Sequence, residues 1–276
     1  MTSNTQLIRV EEWRPLRGFT TLLQKENRAW WGTRLWLANA LLWTSVLGGL
    51  VAVMLYLLPP VAELTSDPEV AAAGGPLAFG LQMGRNVFFE MGSMVLAIGV
   101  IVLMQDAILG EKQSGVAEWL LAKPVARRSY ILAKLAAALL AVLALLIALP
   151  ALATYVLYAL RLGAPQPLAP FLAGVGIMTV HTLFYLALVV LLGALFDVRP
   201  LILGISLGVL LAGTLLAGLI KPLLYVTPWI LPKAASLAAA GQPVPPELLW
   251  PPLISTGLWC VIFVLAALAV FDRTEF

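Results

Sequence analysis

The feature that most constrains this chain is its set of long apolar runs. Each run has roughly 20 residues or more, the length that a helix needs to cross a hydrocarbon core about 30 Å thick. Of the 276 residues, 61% are hydrophobic and 11% are charged, whereas a water-soluble domain carries about 25% charged residues. The alternating pattern of a transmembrane barrel strand is absent. We therefore predict an all-α membrane protein with six transmembrane helices, at about Leu35–Leu58, Val87–Leu109, Tyr130–Leu160, Pro170–Phe196, Pro200–Ile220 and Leu253–Phe271.

The third predicted span is the longest. Its roughly 31 residues, at about 1.5 Å per residue, exceed the thickness of the bilayer core. We expect it to protrude into the cytosol. Because proline lacks the N–H group that a helix interior needs, we also expect a bend near Pro150.

The basic residues predict how the chain is oriented. Most of its 17 lysines and arginines lie before the first span, in the second connection or beside later span ends on that same side. The positive-inside rule then places both termini and the second connection in the cytoplasm of a multi-pass protein of the cell (inner or plasma) membrane. The long polar segment before the first span argues against a cleaved signal peptide. The net charge of +3 reflects this asymmetry, and no nucleic-acid partner is expected. The exceptions on the other side are Arg85, Arg161, Lys221 and Lys233.

Residues 1–34 are predicted to form a cytoplasmic N-terminus with an interfacial amphipathic helix, followed by a six-span transmembrane domain over residues 35–276. Leu16, Phe19, Leu22 and Leu23 recur at helical spacing with basic residues between them, which is typical of a helix lying in the interface plane. An alternative is a basic anchor with an aromatic belt, which explains the charge but not the apolar stripe. The residues expected to place the helix are Arg17, Lys25, Glu26, Arg28, Trp30 and Trp31.

The segment from 221 to 252 is rich in proline yet largely apolar. It is too broken for a spanning helix, and non-helical backbone at membrane depth survives only where protein or a water-filled cavity covers it. We predict short re-entrant or interfacial helices that cap an extracytoplasmic vestibule. An ordinary interfacial loop remains the alternative.

The cytoplasmic segment from 110 to 130 interrupts the apolar runs with charges and a proline. Residues Ser114 to Ala122 favour a short helix that Pro124 ends, since the residue before a proline is disfavoured in the helical region. Ser129 is expected to cap the third span. An exposed Trp119 among charges has the composition of a docking surface. The alternative is that Trp119 lies on the lipid headgroups.

Three patches of residues resemble the permeases of type-2 ATP-binding-cassette (ABC) transporters. "LLQKENRAWW" is similar to the interfacial helix before their first span, and "FDRTEF" to the ending after their last. Ala126 stands where the family often has serine, and Val116 where it often has threonine. The most specific patch is the cytoplasmic run Glu111-x-x-x-Gly115-x-x-Glu118-x-Leu120-Leu121-x-x-Pro124-Val125-x-Arg127, followed by Lys134.

The resemblance implies a permease subunit that pairs with a second permease subunit, as a homodimer or a heterodimer, above cytoplasmic ABC ATPase subunits. ATP and Mg would be bound by those ATPases, and this chain is expected to hold no cofactor or metal and to be no enzyme. Its sequence contains no G-x-x-x-x-G-K-[ST] phosphate loop. Export is the usual direction in the family, and the Leu, Ala and Val-rich spans favour amphipathic or hydrophobic cargo. The residues implied in coupling to the ATPase are Glu111, Gly115, Glu118, Trp119, Lys123, Pro124 and Arg127.

A secondary transporter driven by an ion gradient is the alternative function. Such proteins place ionisable residues within their spans, and here Glu90 and His181 are the candidates for a pathway. His181 is better explained as a neutral imidazole that is hydrogen-bonded to a neighbouring helix. An intramembrane enzyme is less well supported, because the sequence has one histidine and no HExxH or Gly-x-Ser-x-Gly motif.

Overall fold

The computed structural model describes residues 16–65, 67–216 and 219–273, and within them the chain forms helices and no strand. This confirms the predicted all-α membrane protein. The division at residues 34 and 35 stays a prediction, and residues 1–15 lie outside the described part. The helices are α1 Phe19–Trp31, α2 Leu35–Glu63, α3 Pro68–Ala72, α4 Pro76–Gln113, α5 Val116–Leu121, α6 Arg127–Leu162, α7 Leu168–Leu195, α8 Arg199–Leu216, α9 Leu223–Val226, α10 Leu231–Ala239 and α11 Pro246–Arg273.

Five of these helices are long and apolar enough to cross a membrane: α2, α4, α6, α7 and α11. Helix α8 corresponds to the predicted fifth span. Its apolar part is shorter, and its described residues end at Leu216, before two residues that lie outside the described part. The six-span count therefore stays a prediction.

Several helix ends differ from the predicted boundaries. The connection expected from Pro59 to Asn86 is largely helical, because α2 continues to Glu63 and α4 already begins at Pro76. Likewise α11 begins at Pro246, well before the predicted Leu253, with Pro251 inside it. Prolines at or near a helix start are tolerated because the first N–H groups have no helical partner, so proline was a poor guide to these boundaries.

The predicted cap of the third span is wrong. Helix α6 begins at Arg127, its N-cap residue is Ala126, and no side chain caps it. Ser129 therefore falls inside the first turn, and its buried hydroxyl has no hydrogen-bond partner among the described residues. The Ala126 N–H instead donates to the backbone oxygen of Arg17, 3.1 Å away, which attaches the start of α6 to the start of α1.

Three of the long helices contain a π-helical segment, at Val53–Leu57 in α2, Val87–Met91 in α4 and Val142–Ala148 in α6. A π turn accommodates one extra residue and frequently lies at a functional site. The segment in α6 ends two residues before Pro150, where the missing N–H leaves a helical carbonyl without its usual donor. Helical hydrogen bonding thus changes next to Pro150, while the bend expected there stays a prediction.

Helix α7 forms the centre of the bundle. It is the most buried of the five membrane-length helices and packs against α4, α6, α8, α10 and α11. By contrast, α2 and α11 are mostly exposed, with 22% and 11% of their most apolar stretches buried. An apolar helix with so little protein around it needs lipid or another protein to cover it.

The proline-rich segment before α11 folds into short helices, as predicted. Helix α9, a 3₁₀ turn at Pro228–Ile230 and α10 follow one another. The Trp229 indole N–H donates to the carbonyl of Val209 in α8 at 3.1 Å, and the Ser236 hydroxyl donates to the Asn86 side-chain oxygen in α4 at 2.8 Å. These contacts fasten the segment over α4, α7 and α8. Whether it re-enters the membrane stays a prediction.

The contact between α7 and α10 depends on Gly174. A Cβ at this position would lie 2.7 Å from the Ala235 carbonyl oxygen and 2.8 Å from the Ala239 Cβ, whereas a Cβ at Gly176, on the same helix, would meet nothing within 4 Å. We expect Gly174→Ala to lower the Tm by roughly 3–10 °C, because overpacking costs about 1–3 kcal/mol. Thermal unfolding of the purified protein in detergent measures it.

The matched control is Gly176→Ala. Alanine is the better helix former, so this variant should leave the Tm unchanged or raise it slightly. Equal Tm values for the two variants would contradict the packing of α10 on α7.

Candidate functional site

Helix α5 projects from the end of the bundle on a glycine turn. Gly115 precedes it with a φ of +71°, a conformation that other residues rarely adopt, so the chain reverses sharply after α4. On α5, Ala117 and Leu120 are buried against the protein. Trp119, in contrast, is 62% exposed. A short helix therefore stands at the predicted place, with its apolar anchor facing outward.

Four of the predicted coupling residues lie together on this outward side, which we call the exposed face of α5. Glu118, Trp119, Lys123 and Pro124 are all exposed. The Lys123 ammonium lies 3.4 Å from the centroid of the Trp119 ring, a cation–π contact that orients the indole. The helix ends at Leu121, just before the turn that contains Pro124. The role of this face in coupling stays a prediction.

Glu111 has a different environment from the exposed face. Its Oε1 lies 2.5 Å from the Lys25 Nζ and 3.0 Å from the Lys134 Nζ. Its Oε2 accepts a hydrogen bond of 2.7 Å from the Tyr130 hydroxyl. Glu26 completes the group at 3.1 Å from Lys134. We call these five residues the charge cluster; they belong to α1, α4 and α6.

The charge cluster is partly withdrawn from water. The Lys134 side chain is 5% exposed, and those of Glu26 and Glu111 are 13% and 21% exposed. Each buried charge has an opposite charge and a hydrogen bond, the condition under which such a group is tolerated. Although burial alone would lower the pKa of Lys25, the hydrogen bond to Glu111 and the charges of both carboxylates raise it. Lys25 therefore stays protonated at neutral pH.

The two residues after Glu111 contact a different part of the bundle. The Lys112 ammonium lies 2.9 Å from the Ala194 carbonyl oxygen, at the end of α7, and 3.0 Å from the Asp197 carboxylate, in the turn between α7 and α8. The Gln113 amide donates to the Asp197 carbonyl at 3.0 Å. The last residues of α4 therefore contact α1 and α6 on one side and the α7–α8 turn on the other.

Arg127, the last predicted coupling residue, lies at the start of α6. Its guanidinium donates to the backbone oxygen of Asp272 at 3.1 Å, and the neighbouring Arg128 pairs with the Asp272 carboxylate at 2.8 Å. The rings of Tyr130 and Phe271 stack with centroids 4.9 Å apart. These contacts join the end of α11 to α6. The last three residues of the chain lie outside the described part.

The predicted interfacial residues separate into two groups. Lys25 and Glu26 face the charge cluster, and the buried Leu22 anchors α1 to the protein. Arg28 and Trp31 are exposed, while Trp30 is half-buried. Such a helix, held on one face and open on the other, fits an interfacial position. Its placement on a membrane stays a prediction.

Glu90 and His181 meet at a second place, far from α5. Both line one cavity of about 160 Å³, together with Met94, Tyr185 and Trp229. Glu90 lies 21 residues before Glu111, or about 30 Å along a helix. The structure thus brings together, at one cavity, two candidates that the sequence offered separately. Their role in a pathway stays a prediction.

The match to known families decides what kind of protein this is. Residues 24–276 match the family described as ABC-2 family transporter protein. The chain belongs to that family. The matched range covers the charge cluster, α5 and both cavity residues. None of the curated proteins compared with this ABC-2 transporter chain matches it.

Family membership establishes the general role. An ABC-2 membrane chain is a permease, a multi-pass transport subunit that works in association with ATPase subunits, and it is generally not itself an enzyme. The five membrane-length helices agree with this role. In this permease, the exposed face of α5 and the charge cluster beneath it form the candidate site for contact with a partner.

The charge cluster yields a test of what holds α1 in place. We expect Lys134→Gln to release α1, because removing one partner of a buried charge pair costs about 3–5 kcal/mol. The readout is hydrogen exchange of the amides in residues 19–31, which should become at least about ten-fold faster if local opening is easier by more than 1.4 kcal/mol. The Tm should also fall.

Lys123→Gln is the control, since Lys123 is an exposed lysine just after α5 and lies outside the charge cluster. Exposed charge contacts contribute about 0–1 kcal/mol, so exchange over residues 19–31 should stay unchanged. Unchanged exchange in both variants would contradict the anchoring role of the charge cluster.

Proposed function

We propose that this permease is the membrane-spanning subunit of an ATP-driven exporter in the cell membrane, with both termini in the cytoplasm. Separate ATPase subunits bind ATP and Mg²⁺ and dock on the exposed face of α5. A second permease subunit, identical or different, completes the pathway. The observation that carries the proposal is the exposed Trp119, presented on a helix whose opposite side is buried.

The composition of the exposed face supports a protein contact. Tryptophan at the centre of a patch with a charged rim is the arrangement of a binding hot spot. Here Glu118 and Lys123 provide charges of both signs next to Trp119. Ala117 and Leu120 are buried and pack α5 against the rest of the protein, so that a force on α5 is passed to the residues that it contacts. A partner that binds Trp119 can therefore move the protein beneath it.

The contacts beneath α5 supply a route for that movement. Glu111 lies four residues before Gly115 and connects to α1 and α6. Lys112 connects to the α7–α8 turn through Asp197. A displacement of α5 would be transmitted through Glu111 and Lys112, in the last turn of α4. It would reach α1 and α6 through the first residue and the α7–α8 turn through the second. Closure of an ATPase dimer is the event that we expect to cause such a displacement.

The need for a second permease subunit is supported by the exposed helices. Helices α2 and α11 bury little of their apolar surface within this chain. A pathway built between two subunits would cover part of it. The Leu, Ala and Val-rich spans favour amphipathic or hydrophobic cargo, in agreement with export from the membrane or the cytoplasm.

The proposal is tested by Trp119→Asp. Loss of a hot-spot tryptophan costs about 2 kcal/mol or more, or roughly thirty-fold in affinity, so the soluble ATPase should no longer co-purify from native membranes. Mass spectrometry of the purified complex, at equal membrane abundance, measures this loss. Trp119→Phe is the control and should retain the ATPase, because the phenyl ring keeps most of the apolar contact.

Co-purification of the ATPase with Trp119→Asp in normal amounts would contradict docking on α5. If the wild-type chain purifies without any ATPase, and if transport follows an ion gradient and persists after ATP depletion, the secondary-transporter alternative replaces the proposal.

The orientation has its own test. In a Cys260→Ala background, we expect Lys123→Cys to react with a membrane-impermeant maleimide only in inside-out vesicles, because α5 is proposed to face the cytoplasm. Lys221→Cys should react from the outside of intact cells. Labelling of both positions from the same side would refute the proposed topology.

A further inference from the structure

A polar cavity of about 440 Å³ opens between α4 and α10, at the end of the bundle opposite α5. This volume is within the roughly 300–1,000 Å³ typical of small-molecule sites. Its walls carry an unusual number of polar groups for a chain so rich in Leu, Ala and Val. The polar side chains that line it are Gln82, Arg85, Asn86, Glu90, Lys233, Ser236 and Gln242.

Three of these side chains carry charge without a salt-bridge partner. Arg85, Glu90 and Lys233 belong to none of the ion pairs within the described residues. The other polar groups on the walls are neutral amides and one hydroxyl. The cavity thus presents two cations and one carboxylate, at a position where a bound molecule could pair with both signs.

Glu90 also lines the neighbouring cavity of about 160 Å³, whose walls are mainly apolar and aromatic. Met94, Tyr185 and Trp229 contribute to it. His181 is 2% exposed there, and its Nδ1 has no hydrogen-bond partner among the described residues. A buried polar atom without a partner is uncommon.

The backbone at Glu90 is itself irregular. Glu90 lies in the π-helical segment Val87–Met91 of α4. Such segments frequently occur at functional sites, because the extra residue redirects neighbouring side chains. Glu90 is also the residue that lines both the polar cavity and the aromatic cavity.

We propose that the two cavities together bind a zwitterionic small molecule with one apolar group. Its anionic group pairs with Arg85 and Lys233, its ammonium group pairs with Glu90, and its apolar group enters the cavity beside Trp229. The proposal deepens the proposed function, on which it rests for the idea that the bound molecule is cargo. A free apolar amino acid and an ethanolamine lipid headgroup with its tail share this chemistry.

The charges argue against ligands of a single sign. A simple cation would pair with Glu90 but lie next to two positive side chains, and a simple anion would leave the Glu90 carboxylate unpaired. Charges that leave water need an opposite charge to offset the desolvation cost. A zwitterion satisfies all three groups at once.

The test uses three matched probes: phenylalanine, phenylalaninamide, which carries only the ammonium, and N-acetylphenylalanine, which carries only the carboxylate. A ligand that binds the folded state raises the Tm with its concentration, so thermal unfolding of the purified permease in phosphatidylglycerol nanodiscs, whose lipid carries no ammonium group, gives each affinity. We expect phenylalanine to bind about ten-fold or more tightly than either single-charge analogue.

Single substitutions test which charged side chain pairs with which charged group of the probe. Glu90→Gln should lower the affinity for phenylalanine and phenylalaninamide, and Lys233→Gln should lower that for phenylalanine and N-acetylphenylalanine. Glu63→Gln and Lys221→Gln are the matched controls, since both residues are exposed and lie outside the two cavities. They should leave all three affinities unchanged.

Nanodiscs that contain phosphatidylethanolamine separate the two sources of the zwitterion. If phenylalanine gives no shift, but the ethanolamine lipid raises the Tm and Glu90→Gln abolishes that rise, the site takes the lipid headgroup. If neither molecule changes the Tm in a variant-dependent way, the proposal is overturned.

The experiments distinguish a failure of the proposed binding site from a failure of the proposed function. Absence of binding in a permease that still co-purifies with its ATPase overturns the site alone. Binding by a permease that has no ATPase partner overturns ATP-driven export alone.

Discussion

The end of this permease that carries α5 depends on one carboxylate, that of Glu111. It accepts from two ammonium groups and one hydroxyl, which come from α1 and α6, while Glu111 itself lies in the last turn of α4. Taking charges out of water costs several kcal/mol per ion unless partners replace the lost hydration. The full set of contacts around Glu111 therefore forms only when all three helices are in place. The amphipathic α1 is held to the bundle by this shared requirement as well as by its apolar face.

Those parts of the fold that follow from local pattern were predictable. The lengths of the apolar runs gave the membrane-length helices, and a glycine, a short helical stretch and a proline gave α5 with its exposed Trp119. Glu90 and His181 were selected one at a time, as ionisable residues in apolar surroundings. Their meeting at one cavity was not predictable, because it depends on how α4 packs on α7.

The partners of the charged residues were the part that the sequence did not reveal. Glu111 was interpreted as a contact for the ATPase, whereas the structure pairs it with Lys25, 86 residues earlier. Lys112 and Asp197 are 85 residues apart in the sequence, and their pairing was not predicted. A charge in a hydrophilic segment has the same local signature whether it faces water or a distant partner, and only tertiary packing distinguishes the two. The predicted helix boundaries were wrong for a related reason, because packing in the folded protein lets helices continue across prolines.

The three contacts made by successive residues at the end of α4 have a mechanical consequence. Glu111 and Lys112 point toward opposite neighbours, and Gln113 joins the second of these. A twist of α4 about its own axis would pull on both sets of contacts together, so the helix end resists torque from either direction. A tilt of the whole end, in contrast, carries α1, α6 and the α7–α8 turn along with it. Such a tilt would therefore move these elements as one piece.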